Sequence, residues 1–130
     1  MNSYHENAYA QYAFIEGILH ITYKKGCYID VKAAQTIVYD RLKFQQHSCC
    51  PVLCNVNNVT YMDMEAHEFM NSHGFSLVRA LALLSNNTFP LYMSFFFLET
   101  SHSSIPVKLF DSRKEALLFL EHFKKQKRCL

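Results

Sequence analysis

Two runs near the N-terminus carry the pattern of strands: residues 9–16 (YAQYAFIE) and 18–24 (ILHITYK). Glu16-Gly17 separates them, a two-residue hairpin signal in which glycine supplies positive φ. In the second run Leu19, Ile21 and Tyr23 share one face, and His20, Thr22 and Lys24 share the other. His20 alternates with polar neighbours and is expected on the solvent side rather than as a ligand. The period then changes. Asp30 is a good N-cap, and Ala34, Ile37, Val38, Arg41 and Leu42 follow helical spacing over 31–46.

The next apolar runs do not alternate. Residues 51–56 (PVLCNV) and 79–85 (RALALLS) are continuous, as in strands buried on both faces. Between them, Ala66, Phe69, Met70 and His73 face one side of a helix over 64–74, with Gly74 at its end. A short strand is predicted at 106–110. Asp111 is then expected to cap a last helix whose stripe is Ala116, Leu117, Leu120 and Phe123. The order ββαβαβαβα predicts an α/β fold. Its sheet is mostly parallel with right-handed crossovers, an antiparallel N-terminal hairpin and helices packed against it. At 130 residues this is one domain over 1–130, with 1–8 and 125–130 expected as frayed tails.

Residues 88–99 (TFPLYMSFFFLE) also read as a helix, with Pro90 in its first turn. Its apolar residues exceed one stripe of roughly 100°. A homodimer contact through Phe89, Tyr92, Phe95 and Phe96 is one expectation. A helix buried under the loop at 100–105 is the other.

Composition narrows the function classes. A hydrophobic content of 50% with 18% charged residues belongs to a folded chain, not a disordered one. A net charge of +2 is too weak to point to nucleic acid or a membrane surface. The one basic cluster, Lys124-Lys125-Gln126-Lys127-Arg128, suits a solvated helix end. No apolar run approaches the roughly 20 residues of a membrane span, and the N-terminus lacks a signal-peptide pattern. A cytoplasmic location is expected by default. Five cysteines without secretory context are expected as reduced thiols.

Catalytic patterns are sparse. His47-Ser48-Cys49-Cys50-Pro51-Val52-Leu53-Cys54 lacks the paired C-x2-C spacing of a zinc site, so no metal is expected. There is no phosphate loop, no G-x-S-x-G elbow and no H-E-x-x-H, so no cofactor is expected either. Glu65-Ala66-His67-Glu68 has one histidine, and His67 reads as a surface or boundary residue rather than a general base.

What remains is Val59-Thr60-Tyr61-Met62-Asp63, leading from a buried strand into an acidic cap. This stretch resembles the L-S-F-M-D part of the "L-x-x-L-S-F-M-D-S-S-G" signature of the STAS family, the anti-sigma-factor-antagonist class of bacterial regulators. The final "VKLFDSRKEALLFL" resembles the last strand and helix of that class. The likeness covers nearly the whole chain and is closest to small stand-alone STAS-like bacterial proteins of unassigned function. It implies a regulatory module that presents Asn58, Thr60, Tyr61, Asp63, Met64, Glu65 and His67 to a protein partner. Met64 stands where the phosphoacceptor serine of that class follows the aspartate, Glu65 replaces the second serine and Ala66 the glycine. The hydroxyl needed for phosphorylation-driven partner switching is therefore missing.

Three classes are thus in view. The first is a non-enzymatic interaction module. The second is a binder of an apolar small molecule or lipid near Phe95–Leu98, which rests on fold analogy. The third is a cysteine-based enzyme, for which no ordered set of partners is visible.

Overall fold

The computed structural model describes residues 4–86 and 105–124. The expected helix over 88–99, the dimer contact through Phe89, Tyr92, Phe95 and Phe96, the pocket near Phe95–Leu98 and the C-terminal tail lie outside them.

Among the described residues eight strands and three helices follow in the order β1 (Tyr4–Glu6), β2 (Ala10–Ile15), β3 (Ile18–Tyr23), β4 (Cys27–Ile29), α1 (Val31–Gln45), β5 (Cys50–Asn55), β6 (Val59–Met62), α2 (Met64–His73), β7 (Val78–Leu84), β8 (Val107–Phe110) and α3 (Arg113–Glu121). Six strands form the main sheet in the order β1-β2-β3-β5-β7-β8. The first three are antiparallel, and β3, β5, β7 and β8 run parallel. The expected α/β class, hairpin and mostly parallel sheet are therefore present.

The hairpin turns at Glu16 and Gly17, both at positive φ (50° and 82°), the combination that matches the twist of the flanking strands. β5 is central, with β3 and β7 as neighbours, and all but its last residue are buried. Its residues alternate between the two faces of the sheet. Cys50, Val52 and Cys54 join the core shared with Ala33, Ala34, Ile37 and Val38 of α1 and Ala66 and Met70 of α2. Leu53 joins Ala80, Ala82 and Leu84 of β7 under Ala116 and Leu120 of α3. The sheet is thus covered on both faces, which explains why β5 and β7 read as continuous apolar runs. A bulge between the Cys50–Val78 and Val52–Leu81 pairs shifts the phase of β7. Val78 and Leu81, three residues apart, consequently both enter the first core.

Several expectations are corrected. Residues 4–6, expected within a frayed tail, pair with β2 as β1. Two strands absent from the expected order, β4 and β6, pair in parallel as a separate two-stranded sheet. Ser112, not Asp111, caps α3, accepting from the Glu115 N–H at 3.3 Å. Cys49 is disulfide-bonded, against the expectation of reduced thiols. It is half-buried at the turn before β5, whereas its neighbour Cys50 points into the core. Cys27, Cys50 and Cys54 are buried free thiols.

Candidate functional site

The stretch resembling the STAS signature forms β6 and the first turn of α2, and it is tied to the chain segment before α1. The Asn58 carbonyl accepts from the Cys27 N–H at 3.0 Å, and the Asn58 side-chain amide donates to the Tyr23 carbonyl at 3.1 Å. The Thr60 hydroxyl donates to the Cys27 carbonyl at 2.9 Å. The Asp63 N–H donates to the Ile29 carbonyl at 3.1 Å. These bonds hold β4 beside β6 and fix where α2 begins.

Asp63 is the N-cap of α2. Its extended backbone starts the helix, and its carboxylate accepts from the Ala66 N–H at 2.9 Å. That satisfies one of the amide donors a helix N-terminus leaves without an intrahelical acceptor. Glu65 follows in the first turn, where negative charge is favoured by the helix dipole.

Three large side chains on this surface face solvent: Tyr28 is 55% exposed, Tyr61 41% and Met64 61%. Tyr28 and Tyr61 are partners across β4 and β6, with ring centroids 5.2 Å apart. The aromatic pair is fixed by strand register rather than by chance proximity. Val59 and Met62, at the two ends of β6, are buried in the main core, and a register shift between the Cys27–Val59 and Tyr28–Tyr61 pairs interrupts the alternation between them.

The seven sequence-derived residues thus divide. Tyr61, Met64 and Glu65 are displayed. Asn58, Thr60 and Asp63 spend their polar groups on holding the segment together. His67 is placed differently from expectation: it is 4% exposed and buried on α2, so it is not part of the accessible surface. Burial pushes its pKa down, with the Asp63 carboxylate partly opposing. Sequence reasoning missed Tyr28. The signal was the apolar–Tyr–apolar alternation of Cys27-Tyr28-Ile29 just after Gly26, too short to register as a strand.

Among the described residues no group of three or more His, Cys, Asp or Glu could hold a metal ion. Burial raises the thiols of Cys50 and Cys54 to about 11, which makes both poor nucleophiles at neutral pH. His20 is half-buried, 3.5 Å from Arg113 Nη1, and its pKa is lowered by desolvation and by that guanidinium. No described helix is long and apolar enough to cross a membrane.

The main sheet with helices on both faces is an arrangement that solved structures share. A crystal structure of an uncharacterized protein of the DUF3478 family, with a SpoIIAA-like fold, from Shewanella loihica, superposes with a TM-score of 0.57. The match covers 89% of this chain and 98% of that one at 10% identity, so the likeness is one of fold. The chain itself belongs to the DUF7793 family, a domain of unknown function whose family model matches residues 12–124. No curated protein matches it.

Proposed function

We propose that this protein is a non-enzymatic interaction module of the STAS type. It engages a protein partner through the outer face of β4 and β6 and the first turn of α2. The observation that carries this reading is the Tyr28–Tyr61 ring pair, held by strand register beside the exposed Met64 and Glu65. Aromatic residues and methionine are the types enriched where proteins bind one another. Glu65 gives the apolar patch an acidic rim, so the fitting partner offers an apolar patch with a cation beside it.

The site does not operate as a phosphorylation switch at the aspartate-adjacent position, because Met64 has no hydroxyl. Glu65 supplies one permanent negative charge, against about two for a phosphate. At that position the module therefore carries the charge of Glu65 without a phosphate to add or remove.

The test compares proteins captured from source-cell lysate by three baits: the wild type, the triple variant Tyr28→Ser/Tyr61→Ser/Glu65→Lys, and Leu118→Ser. Leu118 is equally exposed but lies on α3. Partners lost only from the triple variant support the reading. Capture unchanged by the triple variant refutes it.

A further inference from the structure

Among the described residues one Lys, Arg, Asp or Glu side chain is buried. Arg41, on the buried stripe of α1, is 3% exposed. Its Nη1 donates to Gln45 Oε1 and, at 3.0 Å, to the Ser76 carbonyl; its Nη2 donates to the Gly74 carbonyl at 3.2 Å. All three acceptors are neutral, and among the described residues no carboxylate forms an ion pair with Arg41. A guanidinium has five N–H donors, so these bonds leave two unused. Removing such an ion from water costs several kcal/mol unless a counter-charge offsets it.

Arg41 also stands on the wall of a cavity. The void, about 60 Å³, lies between the main sheet and the α1–α2 pair. The rest of its wall is largely apolar and includes Val52, Val56, Met62, Leu81 and Leu83. A water needs roughly 10–15 Å³ of such space, and an apolar cavity of about 150 Å³ accepts benzene. This void therefore suits a molecule smaller than benzene. The wall's other polar side chains, Tyr23 and Cys54, are neutral and lie against each other at 3.7 Å, so the one cation selects a ligand with one anionic end and a short aliphatic one. Two of the three existing bonds hold the 74–77 turn after α2, and the third goes to Gln45, whose amide donates to the Leu77 carbonyl. They do not explain a void lined by the same side chain.

We propose that this cavity binds a small aliphatic monocarboxylate of two to four carbons. The carboxylate accepts from the guanidinium of Arg41, and the alkyl end packs against Val52, Val56 and Leu81. The planar guanidinium matches a carboxylate with two parallel hydrogen bonds. The cavity lies inside β6, not on its outer face, so this site stands or falls separately from the partner surface.

The experiment titrates the full chain, labelled at valine and leucine methyl groups, with acetate, propionate, butyrate, hexanoate, n-butylamine and sodium chloride at matched ionic strength. Ligands of this size bind at about millimolar strength, so the titration runs to about 50 mM. Saturable shifts at Val52 and Leu81 are expected for the acids of two to four carbons only. Arg41→Gln should weaken them about tenfold or more, as expected for losing a hydrogen bond to a charged group. Because Arg41→Gln could also loosen the 74–77 turn, Val52→Leu/Val56→Leu fills the cavity with Arg41 retained and should abolish binding. The proposal is overturned by any of five results: no saturable shift with any acid, equal shifts with chloride or butylamine, hexanoate binding as tightly as butyrate, unchanged affinity in Arg41→Gln, or unchanged affinity in the filled variant.

Discussion

Asp63→Ala separates the cap from the charge at the start of α2. In the structure the Asp63 carboxylate makes one hydrogen bond to the helix, from the Ala66 N–H at 2.9 Å. Removing an N-cap side chain costs about 1 kcal/mol, within about 0.5–2. The negative charge at the helix N-terminus contributes about 0.3–1 kcal/mol more. Alanine loses both contributions, whereas asparagine keeps the cap and loses only the charge. The expected costs are therefore about 1–2 kcal/mol for Asp63→Ala and under about 1 kcal/mol for Asp63→Asn. At about 2.1 cal/mol/K per residue, a chain of 130 residues has an unfolding entropy of about 0.27 kcal/mol/K. Asp63→Ala should lower Tm by about 4–7 °C and Asp63→Asn by no more than about 4 °C. Thermal and urea unfolding followed by circular dichroism give both values, and an unchanged urea slope confirms that stability alone has moved. Two results would refute the reasoning. One is Asp63→Ala leaving Tm within about 1 °C of wild type. The other is Asp63→Asn falling as far as alanine, which would make charge, not capping, the operative term.

Other perturbations follow from the core. Gly74→Ala places a Cβ 2.5 Å from the Met70 carbonyl oxygen, a backbone atom that cannot simply rotate away; it should cost about 1–3 kcal/mol, and an unshifted urea midpoint would contradict this. Cys50 and Cys54 should resist an alkylating agent at pH 8 in the folded protein and react after denaturation, as mass spectrometry of the labelled peptides would show; rapid labelling while folded would mean that burial does not protect them. The same thiols make stability pH-dependent. Their ordinary value is 9.0 and their folded value about 11, so between these the folded state holds protons that the unfolded chain sheds. Their contribution is complete below pH 9 and declines as pH rises toward 11, by about 1.4 kcal/mol per pH unit for each thiol; a flat urea midpoint across this range would refute it. His67 acts in the opposite direction. Burial holds its pKa below 6.5, so its contribution is present above pH 6.5 and is lost as pH falls, because the unfolded chain takes up the proton first. His67→Gln should flatten the acid side of the stability profile, and an unchanged profile would assign that sensitivity to other groups.

The elements legible in the sequence were those with long, consistent patterns. β5 and β7 announced themselves as continuous apolar runs because both faces of the sheet are covered, and α1 announced itself through Asp30 and its stripe. β1, β4 and β6 have three or four residues each, too few for a period to emerge above chance. The cap of α3 was misplaced by one residue, although Ser112-Arg113-Lys114-Glu115 carries the S-x-x-E capping pattern that identifies it. In the candidate site, the sequence indicated which residues lie near one another but not which way they point. Val59 and Met62 turn inward while Thr60 and Tyr61 face out, an orientation set by pairing with β4. His67 read as a boundary residue because a lone polar side chain on a helix usually is one; here it is buried on α2. Arg41 was visible on the apolar stripe of α1, but its burial became apparent only once the 74–77 turn was in place to receive its donors.

The pairing of β4 with β6 makes the proposed partner surface discontinuous along the chain. Tyr28 and Tyr61 sit 33 residues apart in sequence and meet only because the folded body brings their strands together. A linear peptide copied from residues 57–67 would carry Tyr61, Met64 and Glu65 without the ring that stacks on Tyr61. Such a peptide should compete poorly for any partner of the intact protein. An antibody raised against it should favour the denatured chain over the native one.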